Sequence, residues 1–104
     1  MIAQSTIQEI ASRLLAASPP GSRVILFGSY AKGVARDGSD LDFLVIEPDL
    51  ADRHSETWRL TRVVRPLRVP IDLVVASEEA YRKWADTPST IFNEASRYGK
   101  VFAA

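Results

Sequence analysis

Five residues carry the chemistry legible in this chain: Gly28, Ser29, Asp40, Asp42 and Asp72. Asp40 and Asp42 open the run DLDFLVIE, whose apolar residues and closing Pro48 predict a strand over 40–47. Residues i and i+2 of a strand point to one face, so the two carboxylates stand side by side. Each raises the other's pKa unless a cation lies between them. With no Cys or His beside them the donors are hard oxygens, a set that suits Mg²⁺. Asp-x-Asp by itself is also the mark of a solvated strand start. Gly28-Ser29 follows directly on the apolar run VILF. Free backbone N–H groups and a hydroxyl at the start of a helical turn make an anion cradle, and glycine lets a phosphate come close. The same pair also serves as a plain strand-to-helix turn. Asp72 interrupts VPIDLVVA between Ile71 and Leu73, where a buried carboxylate needs an arginine, a metal or a place at the open end of a sheet.

Taken together, these residues predict three carboxylates on neighbouring strands beside a phosphate cradle. Two divalent ions held in this way clamp an in-line displacement at phosphorus. The third carboxylate can then serve as ligand and as general base.

The elements that must position them follow from periodicity. Ile7, Ile10, Ala11, Leu14 and Leu15 form one apolar stripe and predict a helix over 5–16, with Ser5 as its cap. A buried strand is expected over 23–27, then a helical turn from Ser29 stopped by Gly33. A helix over 52–65, closed by Pro66, leads to a third strand over 69–76. Ser77 starts a short helix over 80–85. A last helix spans 89–98, with Gly99 as its stop. The order α-β-α-β-α-β-α-α predicts an α/β or α+β domain, a small sheet with helices against it.

Composition sets the bounds. The 104 residues, 46% hydrophobic and 25% charged, make one ordinary globular domain rather than a disordered or fibrous chain. Thirteen Lys+Arg balance 13 Asp+Glu, which argues against general nucleic-acid binding. The absence of cysteine excludes disulfides and thiol chemistry and makes a reducing cytoplasm the expected compartment. No apolar run is long enough for a membrane helix, and the N-terminus does not read as a secretory leader.

GSYAKGVARDGSDLDFLV, with Asp72 on a later strand, resembles the signature of the DNA polymerase β-like nucleotidyltransferase superfamily. The whole chain is most similar to its minimal nucleotidyltransferase (MNT) family. The resemblance implies a single domain over 1–104 with an α+β nucleotidyltransferase fold, a small mixed sheet with helices packed on one face. It implies that Gly28 and Ser29 contact the triphosphate of ATP, and that Asp40, Asp42 and Asp72 bind Mg²⁺ and are catalytic. It further implies transfer of AMP to a hydroxyl, a tyrosine, of a HEPN toxin partner, with this chain as antitoxin. An antitoxin acting by binding alone, and transfer to a small molecule or an RNA end, remain alternatives. Lys32 departs from the family's usual Arg in GSxARG and loses the bidentate fork. With the sheet and its covering helices built, few residues remain to hold an acceptor, so a second chain is expected to supply it.

Four further features have mostly structural readings. His54, the single histidine, reads as a solvated surface residue. Arg59, Arg62, Arg65 and Arg68 read as a solvated helix face or as an interface to an acidic partner. Trp58 and Trp84 are expected in the core, and Tyr30 either lines the pocket or wedges the turn inward.

Overall fold

The computed structural model describes residues 1–103. Helix α1 (Gln4–Ala17) buries Ile7, Ile10, Ala11 and Leu14, the predicted stripe. Ser5 does not cap it: the cap is Ala3, whose side chain offers no hydrogen bond. Strand β1 (Arg23–Phe27) passes straight into the short helix α2 (Gly28–Lys32), which ends at left-handed Gly33. Strand β2 (Leu41–Glu47) leads to α3 (Arg53–Val64), capped by Asp52 through the N–H groups of His54 and Ser55. A 3-10 turn, Arg65–Leu67, accommodates Pro66 in its first positions. Strand β3 (Ile71–Ser77) ends where Ser77 caps α4 (Glu78–Trp84). Thr90 caps α5 (Ile91–Tyr98), and a fourth strand, β4 (Lys100–Ala103), follows.

The sheet order is β3-β2-β1-β4, with β2 and β3 parallel and the other pairs antiparallel. The central strands β1 and β2 carry the near-continuous apolar runs, because both of their faces are covered. Val24, Leu26, Phe43 and Val45 pack against α1 and α3. Ile25, Phe27, Leu44 and Ile46 point the other way, towards Tyr81 of α4 and Phe92 and Ala95 of α5. The α+β class and the small mixed sheet are as expected, and the structure adds a second helical layer where helices were expected on one face alone. Phe43, fully buried at the centre, is worth roughly 3–5 kcal/mol against alanine.

One local expectation fails, and two details go beyond the sequence reading. Trp58 and Trp84 are not core residues but stand 63% and 42% exposed, each ring lying beside a cationic side chain, Arg65 and Lys83. Strand β4 was not foreseen, because four residues with one half-buried side chain leave no readable alternation. Gly99 stops α5 as expected, in extended backbone, and it is glycine because a Cβ there would collide with the Ala95 carbonyl and Ile25 Cγ2. Among the described residues, no helix is long and apolar enough to cross a membrane.

Candidate active site

Register builds the site. Asp42 is opposite Phe27 in the antiparallel β1–β2 pair and opposite Asp72 in the parallel β2–β3 pair. It therefore stands between the residue that opens α2 and the carboxylate on β3. The chain turns from β1 into α2 at Gly28 with φ +75, and a Cβ there would run into the Asp42 carboxylate. Gly28 thus meets two demands that only glycine satisfies, a left-handed backbone and contact with Asp42. No side chain caps the N-terminus of α2, and Ser29 stands half-buried beside it. Tyr30 turns inward rather than lining the site: it packs on the core, and its hydroxyl accepts from the Ile2 N–H at 3.1 Å.

The carboxylates are unequal. Asp42 is half-buried and its pKa is pushed up to about 6, first by burial, then by the charges of Asp72 and Asp40. Asp72 is exposed at the open end of the sheet, one of the three placements its apolar neighbours allowed, and not buried against an arginine. The reason is topological: β3 is an edge strand, and Asp72 is its second residue, at an open end. The desolvated member of the pair is Asp42, on a central strand. Asp42 and Asp72 lie within hydrogen-bonding reach of each other, while Asp40, exposed on the loop before β2, adds its charge. Among the described residues no three Asp, Glu, His or Cys side chains are gathered as a ready metal cage. The donor set still fits a hard dication. Two neighbouring carboxylates, a third close by, and a pKa raised by burial and then by their mutual repulsion are what a cation between them would relieve.

One neighbour escaped sequence reasoning. Glu94 of α5 adds negative charge around Asp42 and holds Lys32 of α2 in an ion pair of 3.0 Å. The Lys32 ammonium also lies 5.2 Å from the Tyr98 ring centre. The departure at Lys32 is thus a tie between α2 and α5. Its partner is 62 residues away, so no local pattern announces it. His54 is exposed, as expected.

Comparison with known proteins places this arrangement. The family profile described as nucleotidyltransferase domain matches residues 7–98. A toxin–antitoxin crystal structure with AMP-PNP superposes with a TM-score of 0.63 at 25% identity, over 99% of this chain and 75% of that one. An MntA–HepT toxin–antitoxin structure gives 0.62 at 23% identity, covering 98% and 74%. The tri-AMPylated Shewanella oneidensis HEPN toxin in complex with MNT antitoxin gives 0.61 at 22% identity, covering 97% and 72%. No curated protein matches the sequence significantly. With β1 turning at Gly28 onto Asp42, Asp42 paired in register with Asp72, and the family profile spanning nearly the whole chain, this protein belongs to the nucleotidyltransferase domain family.

Proposed function

We propose that this chain is a Mg²⁺-dependent nucleotidyltransferase that moves AMP from ATP to a hydroxyl, a tyrosine side chain, of a HEPN-family protein and so acts as its antitoxin. The observation that carries the reading is the contact of Gly28 with Asp42, itself in register with Asp72. It sets the turn into α2, whose first N–H groups no side chain caps, beside paired carboxylates. The structural neighbours that hold AMP-PNP or an AMPylated toxin support the same class of chemistry.

In this reading Gly28 and Ser29 hold the triphosphate through backbone N–H groups and the Ser29 hydroxyl. Asp40, Asp42 and Asp72 hold magnesium, which when bound neutralises the phosphates and lowers the pKa of the acceptor hydroxyl. Asp72, exposed on the edge strand, faces the incoming acceptor and takes the hydroxyl proton. The acceptor oxygen forms a bond to the α-phosphorus as the bond from that phosphorus to pyrophosphate breaks. Lys32 stays with Glu94 and keeps α2 in place.

The test is incubation with labelled ATP, Mg²⁺ and the protein product of the neighbouring gene. Label and the mass of AMP are expected on the partner, and both are lost in the Asp40→Ala/Asp42→Ala double variant. A stable complex that never acquires label would make the chain a binder without transferase activity. Full transfer by the double variant would remove these residues from the site.

A further inference from the structure

The arginine run does not behave as one stripe. Arg59 is occupied: its guanidinium grips Glu56 at 2.7–2.8 Å and donates to the Ala17 carbonyl at 2.7 Å. Arg62, Arg65 and Arg68 are exposed, and among the described residues none has a carboxylate within salt-bridge distance. Trp58, Arg62 and Arg65 recur at i, i+4 and i+7 and so share one face of the helix. Arg65 lies over the exposed Trp58 ring, 5.8 Å from its centre.

Beside this face lies a hollow of about 450 Å³ between α3 and the start of β3. Its walls are Val64, Val69, Pro70, Ile71 and Leu73, with Arg65 and Arg68 at its edge. A separate hollow, about 370 Å³, is lined by Trp58, Arg59, Arg62 and Val63 of α3. Arg68 is held at φ 55, left-handed backbone in which a glycine would sit without strain. An exposed tryptophan, unpaired arginines and an aliphatic pocket are the composition of protein interfaces. The outer edge of β3 is also free of any strand partner.

We propose that this groove between α3 and the edge strand β3 docks an acidic segment of the acceptor protein, anchored by an apolar side chain in the pocket. The inference rests on the reading that the acceptor is a second polypeptide. Charge complementarity selects the occupant: two unpaired cations, Arg65 and Arg68, line an aliphatic cavity, with Arg62 one turn away on α3, which asks for carboxylates around an apolar anchor. A nucleic acid fits less well. The pocket offers aliphatic walls rather than stacking surfaces, and Arg65 already lies over the Trp58 ring. The position also suits the chemistry. Asp72 lies on the same edge strand between Ile71 and Leu73, with its side chain on the opposite face by alternation. A partner wrapped over that edge fills the pocket on one side and presents a hydroxyl to Asp72 on the other.

The test uses the full chain and the protein product of the neighbouring gene, with affinity read by calorimetry. The charge-reversed triple variant Arg62→Glu/Arg65→Glu/Arg68→Glu is expected to bind about 100-fold more weakly, and Val69→Asp at the pocket wall at least about 10-fold more weakly. Both should keep their circular dichroism and their affinity for AMP-PNP, since neither change touches the nucleotide site. Wild-type affinity should fall as salt rises. Wild-type-like affinity in both variants overturns the proposal, as does failure of the unaltered chain to bind this protein. A single-stranded uridine oligomer that displaces the protein partner would make the strip a nucleic-acid surface and also overturns it. The two readings separate cleanly. Label transfer with unimpaired variants removes the docking surface and keeps the transferase, whereas weakened variants with no label transfer by the wild type keep the surface and remove the transferase.

Discussion

At Gly28 two physical demands coincide, and they make this residue the most sensitive of the site. The backbone is left-handed there, and the Asp42 carboxylate fills the space where a side chain would begin. Gly28→Val is therefore expected to lose measurable AMP-PNP affinity in calorimetry and to destabilise the fold by roughly 1–3 kcal/mol. Unchanged affinity in a folded Gly28→Val protein would show that the nucleotide lies elsewhere. Ser29→Ala removes one hydroxyl and nothing else, so it should weaken the same affinity by roughly 1–2 kcal/mol, one hydrogen bond to a charged group. The position of Asp42 beside Gly28 follows from strand register, which the spacing of the motif does not reveal.

At the level of elements, the far end of β2 carries a group that the motif does not need. Glu47 is 2% exposed, with its Oε2 unpartnered, and it faces Glu56 of α3 within hydrogen-bonding reach. Burial and the Glu56 carboxylate push its pKa from 4.5 up to about 7. Glu56, gripped by Arg59, is held below its ordinary value. The buried Glu47 thus sits against Glu56 of α3, and Arg59, bound to Glu56, reaches on to the Ala17 carbonyl at the end of α1. Because Glu47 holds its proton more tightly folded than unfolded, its contribution to stability is full below pH 4.5 and is lost as pH rises towards about 7. Glu56 acts in the opposite sense, losing its contribution as pH falls below its ordinary pKa. Glu47→Gln keeps a permanent donor to Glu56 and should flatten the upper limb. Between pH 5 and pH 8 in urea unfolding, the variant should lose about 1–3 kcal/mol less stability than wild type. Equal slopes in the two proteins would show that Glu47 is ionised throughout. A second element-level prediction concerns the joint between α5 and β4. Gly99→Ala drives a methyl into Ile25 and the Ala95 carbonyl, and the thermal midpoint should fall by the equivalent of about 1–3 kcal/mol. A midpoint within error of wild type would mean that β4 shifts without cost.

For the whole molecule, the proposed chemistry and the proposed recognition fall on different faces of one edge strand. Asp72 stands exposed beside Asp42, while Ile71 and Leu73 line the pocket with Arg65 and Arg68. Asp72→Asn, nearly isosteric but unable to take a proton at neutral pH, is expected to lower transfer by at least about 10²-fold. Partner affinity should stay within a few-fold of wild type. Mass shift of the partner and co-elution read both outcomes from one preparation. Near-wild-type transfer would leave Asp72 without a part in the chemistry, and loss of binding would merge the site with the interface.

The sequence by itself determined the residue types, their order and the central strands. Gly28-Ser29 after an apolar run and Asp-x-Asp at the head of another are local patterns, and β1 and α2 with its Gly33 stop lie where those patterns put them. The helices were legible as apolar stripes, with ends displaced by a few residues because capping is decided by geometry as well as residue type. Only the tertiary structure decided which carboxylate is desolvated. Burial depends on a strand's place in the sheet, and the same apolar flanks that allow a buried Asp72 occur on an edge strand where it meets solvent. The second helical layer, the exposure of Trp58, the Lys32–Glu94 tie and the Glu47–Glu56 pair were invisible for the same reason. Each depends on groups distant in sequence coming together, and hydrophobic periodicity records which face of an element is apolar but not what will cover it.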